Sequence, residues 1–526
     1  MNEDERGIPR QRKGGSFKED AGSLVPAATV NCVRSWHSPR THGKPKRGES
    51  SLVSDHMDSK GNCLSVALQS NELKYLPVEQ LHLLAKSLAA KFKQGTGTSH
   101  LDEAIILARE ALELCPPSHP KRPVSLTRLA IHLGDRYDEL GVTRDLEEAI
   151  VLEREALNLC PRGHPDRPMS LFNIAIDLAS RYDQLWAMED LDEAIVLGQE
   201  AGELYSRGHP KQLVALDNLA IDFTTRYKRL GETGDLKEAI DIGRETLDLR
   251  PQGHPDRSRS LNRLATSLST RYNRLKTMVD LDEAIFLDRE VLDLSPQGHS
   301  DRSLSLNNLA RHLATRSEQL GTMRDINEAI TFAQEALELS PPGHPDRVES
   351  SRILSYCLST RYKQLGAMQD LDEAITFAQV ALELSPQGHP NRAESLRNLS
   401  FRLSTRYEQL GAMQDLDEVI VLDREVLNLH PRGHPYRSKP LYRLALSLST
   451  RYQQLKAMQD LDEAIILGRE ALDLLPQGHP DRPDSLVNLA IDLDIRHGRL
   501  GAVEDLNECI VLRRDACLDD KPRTGW

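Results

Sequence analysis

The chain has 526 residues, of which 28% are charged and 4% are aromatic, and its formal net charge is −13. No apolar run approaches the roughly 20 residues that a membrane-spanning helix needs, and the N-terminus lacks the apolar segment of a secretory signal. Nucleic-acid-binding proteins present a basic surface, so the acidic balance argues against a nucleic-acid ligand. We therefore expect a cytoplasmic protein that binds neither membranes nor nucleic acid.

Residues 1–75 are the first predicted segment. They are rich in Ser, Gly, Lys and Arg and show no sustained hydrophobic periodicity. Such a composition cannot bury enough apolar surface to form a core, so the sequence predicts a disordered tail. Two short basic clusters, Arg10–Lys13 and Lys44–Arg47, are also compatible with a nuclear address.

A pentapeptide close to Leu-Asp-Glu-Ala-Ile recurs after the tail with a constant period of 45 residues. Its ten copies begin at Leu101, Leu146, Leu191, Leu236, Leu281, Ile326, Leu371, Leu416, Leu461 and Leu506. A fixed period of this size is typical of solenoids, in which each unit packs only on its neighbours. The sequence predicts a repeat array over residues 76–518 and a short C-terminal tail over residues 519–526.

Each repeat begins with a predicted helix, here called helix A, which follows a Gly-His-Pro turn. In the copy that starts at Gly163, Pro165 suits the first helical position. Apolar residues then recur at steps of three and four as far as Leu185, which is the pattern of one buried helix face. Most copies place a glycine after this helix, where a left-handed C-cap is expected. Three copies have another residue there, namely Trp186, Lys276 and Lys456.

A second predicted helix, helix B, carries the recurring pentapeptide. Asp190 stands where an N-cap is expected, and Glu193 follows three residues later, as in a capping box. A short loop then leads to the next Gly-His-Pro turn. Each repeat is therefore an antiparallel helix pair that can bury its apolar stripe only by stacking on its neighbours. The sequence predicts an all-α solenoid of ten such pairs.

Nine histidines recur in the turns before helix A, which raises the question of metal binding. Stacked helices lie roughly 10 Å apart, whereas ligands of one ion lie about 2 Å from it. We therefore interpret these histidines as turn-stabilising and expect neither a metal nor a cofactor. They are His119, His164, His209, His254, His299, His344, His389, His434 and His479.

Two further repeated features could indicate ligand binding or catalysis, but each also has a structural explanation. An Arg-Tyr pair such as Arg181-Tyr182 recurs near the end of helix A, and we expect the arginine to pair with the acidic start of helix B rather than with a ligand. The paired acids of the pentapeptide could serve acid–base catalysis. They recur at helix N-termini without a nucleophile or histidine, so we interpret them as stabilising the helices and expect no enzyme activity.

The repeat resembles the tetratricopeptide (TPR) family. Ala149 and Ala156 stand at the small-residue positions of helix B, and Pro161 at the family's proline. The family's period is about 34 residues, so helix A is longer here. The turn resembles kinesin-light-chain TPRs, and the whole unit resembles fungal TPR arrays that precede a CHAT domain, a caspase-like protease fold. The resemblance implies a right-handed superhelix whose A helices line a concave groove, and it implies no catalysis by this chain.

One register of helix A is the candidate binding site. This register is the position just before the Leu-Ala or Ile-Ala step of helix A. In TPR proteins, an asparagine at this position often bonds the backbone of a bound peptide. Asparagine is a poor helix former, so its repeated use in mid-helix suggests some gain; a hydrogen bond between repeats would explain it equally well. The candidate partner-binding residues are Asn173, Asn218, Asn308, Asn398 and Asn488, with Arg128, Arg263 and Arg443 in the same register.

These observations predict a non-enzymatic scaffold that binds a peptide or a helix of a protein partner in the concave groove. The alternative function is the regulatory portion of a CHAT-type protease system whose catalytic domain is absent from this chain. A caspase-like partner bound to the array would favour that alternative. The sequence leaves the oligomeric state and the identity of the partner open.

Overall fold

The computed structural model describes residues 76–93, 99–299, 301–344, 346–389, 391–434, 436–479 and 481–519. The tail predicted over residues 1–75 and residues 520–526 lie outside the described part. All regular secondary structure in the described residues is helical, and it comprises twenty helices. None of these helices is both long and apolar enough to cross a membrane.

The described residues fall into two compact units that divide between Asp222 and Phe223. The first unit contains six whole helices and the beginning of a seventh. They are α1 (Val78–Lys93), α2 (Ser99–Glu113), α3 (Arg122–Leu140), α4 (Thr143–Leu159), α5 (Arg167–Leu185), α6 (Met188–Leu204) and the first part of α7 (Pro210–Leu230).

The second unit contains the end of α7 and thirteen further helices. They are α8 (Thr233–Asp248), α9 (Arg257–Leu275), α10 (Met278–Leu294), α11 (Arg302–Leu320), α12 (Met323–Glu338), α13 (Arg347–Leu365), α14 (Met368–Glu383), α15 (Arg392–Leu410), α16 (Met413–Asn428), α17 (Ser438–Leu455), α18 (Met458–Asp473), α19 (Arg482–Leu500) and α20 (Val503–Asp519). The last helix thus ends one residue beyond the predicted array.

Odd-numbered helices are the A helices and even-numbered helices are the B helices. Within each unit, successive helices pack side by side as hairpins, and each hairpin stacks on the next. Small residues allow the close approach: Ala149 and Ala156 are fully buried, as is Leu178 on the apolar stripe of helix A. The prediction of an all-α, TPR-like helical-hairpin solenoid with ten helix pairs is confirmed.

The predicted helix starts are wrong in two places. Helix α6 begins at Met188 after Ala187, so Asp190 lies inside the first turn and is not the N-cap. Its carboxylate instead accepts two hydrogen bonds from Arg181, at 2.7 and 2.5 Å. Pro165 likewise precedes the helix, because the histidine turn continues to Arg167, where α5 begins.

The turn that ends helix A has the predicted left-handed backbone conformation. Its φ is 65° at Gly411, and it is also positive at the three non-glycine positions, 55° at Trp186, 55° at Lys276 and 57° at Lys456. In each case the cap N–H donates to a carbonyl of the last helical turn, as Lys456 does to Tyr452. The hairpin loop therefore imposes this conformation whatever the residue.

Replacing Lys456 with glycine should raise the stability of its hairpin by about 1 kcal/mol, because only glycine adopts a positive φ without steric cost. Gly411→Ala is the matched reverse change and should lower stability by a similar amount. Chemical denaturation of both variants checks the pair. Equal effects of the same sign would contradict the steric explanation.

Candidate binding surface of the A helices

Consecutive A helices contact one another directly within each unit. The clearest contacts between helices of the same kind join consecutive A helices, namely α1–α3 and α3–α5 in the first unit, and α11–α13, α13–α15 and α17–α19 in the second. Short side chains bridge them, as where Ser355 Oγ lies 3.0 Å from Asn398 Oδ1. Consecutive B helices are joined by long side chains, as in the Arg154–Glu193 ion pair. The A helices of these pairs therefore lie closer to one another than the B helices do.

Three of the candidate asparagines bond within the array. Asn173 donates from Nδ2 to Glu153 Oε1 at 2.7 Å. Asn398 is buried and accepts the bond from Ser355. Asn488 donates to the Tyr442 hydroxyl at 2.6 Å. These side chains already take part in contacts between helices, which is the structural alternative considered from the sequence.

The other two candidate asparagines make weaker hydrogen bonds or leave a donor without a partner. Asn308 makes a long contact of 3.5 Å to Asn262 and accepts a bond of 3.2 Å from Arg311. Asn218 on α7 differs from the other asparagines of the register: its Nδ2 atom is buried and has no hydrogen-bond partner among the described residues. The described part of the array thus supplies no acceptor for this amide N–H.

The three arginines of the register lie in different surroundings. Arg443 donates to Ser400 Oγ at 3.2 Å, and its Nε lies 3.8 Å from Asp423. Burial lowers the pKa of Arg128 below its usual value. Arg263 is partly buried on α9. The register therefore follows successive A helices and does not converge on one pocket.

A polar network that the sequence analysis missed lies where helix B meets the A helices. Most repeats have Gly or Ala at this position of helix B, but three have a buried acid: Glu153, Asp288 and Asp423. Glu153 accepts bonds from Thr127 and Asn173, and Asp288 lies 2.5 Å from His312 Nδ1. A large acid among small residues at one register is the signal that could have revealed this network.

Asp423 shows how such an acid is accommodated. Ser400 and Ser447, on the two A helices that flank α16, donate to its two carboxylate oxygens at 2.7 and 3.0 Å. Where the position is glycine there is little room, since a Cβ on Gly243 would lie 3.2 Å from the Leu264 side chain. Buried charge is tolerated only when it is hydrogen-bonded, so each acid requires matching polar residues on the A helices.

Basic and aromatic side chains gather on the A helices of the second unit. Three cationic groups surround the Phe401 ring: Arg402 at 5.0 Å, Lys363 at 5.3 Å and Arg443 at 5.8 Å from its centroid. Burial, together with the positive charges of Arg311 and Lys439, lowers the pKa of Lys228 to about 8. This face is more basic than the net charge of the chain suggests.

The acidic balance belongs mainly to the B helices. Helices α6 and α14 contain four or more acids and no basic residue, whereas α9 and α17 contain several basic residues and no acid. The prediction that nucleic acid is not a ligand was based on net charge. That reasoning applies to the B helices and not to the basic A helices of the second unit.

The recurring histidines stabilise turns, as predicted. In all nine turns the Nδ1 atom accepts a hydrogen bond from the backbone N–H two residues later, at 3.1–3.2 Å. Burial, His430 and Arg229 together lower the pKa of His434 to about 4, which keeps its ring neutral as this bond requires. Among the described residues, no three His, Cys, Asp or Glu side chains are grouped so as to hold a metal ion.

The arginines near the end of helix A pair with helix B, which confirms that prediction. Arg361, for example, donates to both carboxylate oxygens of Asp370 at 2.8 and 2.6 Å. The same bidentate pair joins Arg136 to Asp145, Arg181 to Asp190, Arg226 to Asp235, Arg271 to Asp280, Arg316 to Asp325, Arg406 to Asp415, Arg451 to Asp460 and Arg496 to Asp505. These ion pairs join helix A to helix B within each hairpin.

Matches to known proteins were found only among solved structures. No family model matches the sequence, and no curated protein matches it. A protein of Podosopora anserina described as a kinesin light chain with nearly identical TPR-like repeats is 19% identical; the alignment covers 41% of this chain and 98% of that one, with a TM-score of 0.31. Human IFIT1, solved as a dimer with m7Gppp-AAAA, is 15% identical; the alignment covers 90% of this chain and 97% of that one, with a TM-score of 0.47. These likenesses identify no ligand-binding residue, and the TPR-like character of the chain rests on its own hairpins and their small contact residues.

Proposed function

We propose that the chain is a non-enzymatic protein-interaction scaffold that binds an extended peptide or a helix along the inner face of its A helices. The candidate residues of the Asn/Arg register would take part in that binding. The proposal is supported by the pattern of variation among the repeats and by the state of one asparagine.

The variation among repeats is concentrated on helix A. At the position just before the Asn/Arg register, successive repeats have Thr127, Phe172, Asp217, Asn262, Asn307, Arg352, Arg397, Tyr442 and Val487. The pentapeptide of helix B, in contrast, changes little. Asp217, Asn307 and Arg352 are buried at this position, whereas Val487 is 44% exposed, so hairpins with very different side chains here still stack. A face that varies while its scaffold stays constant is suited to recognition.

Asn218 is the observation that carries the proposal. Its Nδ2 donor is buried without a partner among the described residues. Leaving a buried donor unsatisfied costs about 1–3 kcal/mol. A peptide backbone that accepts this bond would recover that energy only in the complex, which would couple the asparagine to binding rather than to folding.

Asn218→Ala should therefore leave the free energy of unfolding unchanged or slightly raised, while Asn173→Ala should lower it by about 1–3 kcal/mol because Glu153 loses a buried donor. Denaturant titration of the two variants measures this difference. Equal destabilisation by both changes would show that Asn218 is structural.

Binding is tested with peptides selected from a random displayed library on the full chain. Peptides that use the inner face should bind Asn218→Ala at least about tenfold more weakly, the loss expected for one buried hydrogen bond. Arg244→Ala is the matched control, because Arg244 lies on a B helix and makes an exposed pair with Glu283. Peptides that lose affinity only for the Arg244 variant would contradict the proposed location.

A further inference from the structure

The B helices carry a row of exposed aliphatic side chains at one register. In the first unit it consists of Ile106 on α2, Val151 on α4 and Val196 on α6, which are 46%, 66% and 61% exposed. In the second unit the same register holds another uninterrupted run of three, Val421, Ile466 and Val511, which are 64%, 62% and 45% exposed. The two runs are called the first and second aliphatic rows.

Folding does not require these aliphatic side chains. The same register holds Asp241, Thr331 and Thr376 on other B helices, which form equally regular hairpins. Valine and isoleucine are also poorer helix formers than alanine, glutamate or lysine. Exposed single apolar residues are ordinary, but a row repeated at one register over consecutive helices indicates an interaction surface.

The surroundings of each row are acidic. In the first row, acids lie three and four residues before each aliphatic side chain and four residues after it, which places them beside it on the helix surface. The arginines three residues after Ile106 and Val151 are already paired, Arg109 with Glu148 and Arg154 with Glu193. Helix α6 has no basic residue at all. Of the nine flanking acids of the first row, five already pair with arginines of this chain, namely Asp102, Glu148, Glu155, Glu193 and Glu200. The acids still outnumber these arginines, so the surface keeps a net negative charge and favours a partner that carries positive charge.

The spacing of the row fits a helix that crosses the B helices. Consecutive B helices are joined by long side chains such as Arg154 and Glu193, so they lie further apart than the roughly 8–10 Å of directly packed helices, and seven residues of an α-helix rise about 10.5 Å. Apolar side chains that recur every seven residues along a partner helix would therefore reach successive members of the row. Four helical turns would span three hairpins.

We propose that each aliphatic row docks a basic amphipathic helix of a protein partner. The aliphatic side chains contact the apolar stripe of that helix, and the flanking acids face its lysines or arginines. This surface is separate from the inner face of the A helices, so the chain would bind two kinds of segment. A second copy that docks row against row is a poorer occupant, because it would bring one acidic surface against another.

The test uses the full chain and a synthetic 18-residue helix of leucine and lysine with leucines in heptad positions. Isothermal titration calorimetry should show saturable binding. The triple variant Ile106→Thr, Val151→Thr, Val196→Thr and the corresponding variant of the second row should each abolish one class of sites. Threonine is the matched replacement, because Thr331 and Thr376 occupy this register natively. Circular dichroism should show unchanged melting for both variants.

Three outcomes would overturn the proposal. Undiminished binding of the helix to a variant that carries all six threonine substitutions would show that the rows are not the docking surface. Equal binding of a peptide with glutamate in place of lysine would remove the role of charge. Light scattering that shows a dimer of the full chain and a monomer of the triple variant would identify a second copy as the occupant.

Discussion

Leu399→Ala is expected to lower the free energy of unfolding by about 2–5 kcal/mol, the range measured for truncating buried leucines. Leu399 lies on α15, is 3% exposed, and packs in a cluster with residues of α14 and α16 that include Ile375 and Val419. The truncation removes contacts to both neighbouring B helices and leaves a cavity that their backbones cannot close. Hydrogen exchange measured by mass spectrometry reports the loss of protection hairpin by hairpin.

Leu410→Ala is the matched control on the same helix. Leu410 is 61% exposed at the end of α15, so its truncation should change stability by no more than about 0.5 kcal/mol. Protection lost in the Leu399 variant should be confined to α13–α17, because each hairpin packs only on its neighbours. If α1–α4 lost protection together with α13–α17, the whole chain would unfold as one unit. That result would contradict a stability that depends on contacts between neighbouring hairpins.

The hairpin order could be predicted from the sequence because each helix carries its own periodic stripe, and the stripe of Leu171, Ile174 and Leu178 needs no long-range information. The first residues of the helices were harder to predict from the sequence. Asp190 can serve either as an N-cap or as an ion-pair partner, and only the position of Arg181 across the hairpin decides between them. A carboxylate that accepts two charge-assisted bonds from a guanidinium gains more than one that caps a single N–H.

The candidate surface was predictable in part. The register of Asn173 and Asn398 could be located, but its contacts depend on how far one A helix lies from the next. That distance follows from the angle between hairpins, which no repeat period specifies. For this reason the sequence could not predict the Ser355–Asn398 bond or that Asn218 Nδ2 has no partner among the described residues.

Arg316→Met should lower the free energy of unfolding at neutral pH by about 1–3 kcal/mol, somewhat less than for a fully buried pair. Arg316 donates to both oxygens of Asp325 at 2.8 and 2.9 Å, and the Asp325 side chain is 9% exposed. Methionine keeps the aliphatic stem, so the change removes the charge and leaves the Asp325 carboxylate with Thr322 as its remaining side-chain donor. Thermal or denaturant unfolding measures the loss.

Low pH should abolish the stability difference between the Arg316→Met variant and the unchanged chain. The solvent exposure of an ion pair should determine how large such a difference is at neutral pH. The Arg316 guanidinium lowers the pKa of Asp325 below its usual value, so the pair stabilises the fold above about pH 4 and loses its effect as the pH falls through the lowered pKa. Arg424→Met removes an equally bidentate pair with Glu463, but those side chains are 45% and 35% exposed. The control should cost no more than about 1 kcal/mol at any pH. Equal losses at neutral pH would mean that geometry, and not burial, determines the strength of these pairs.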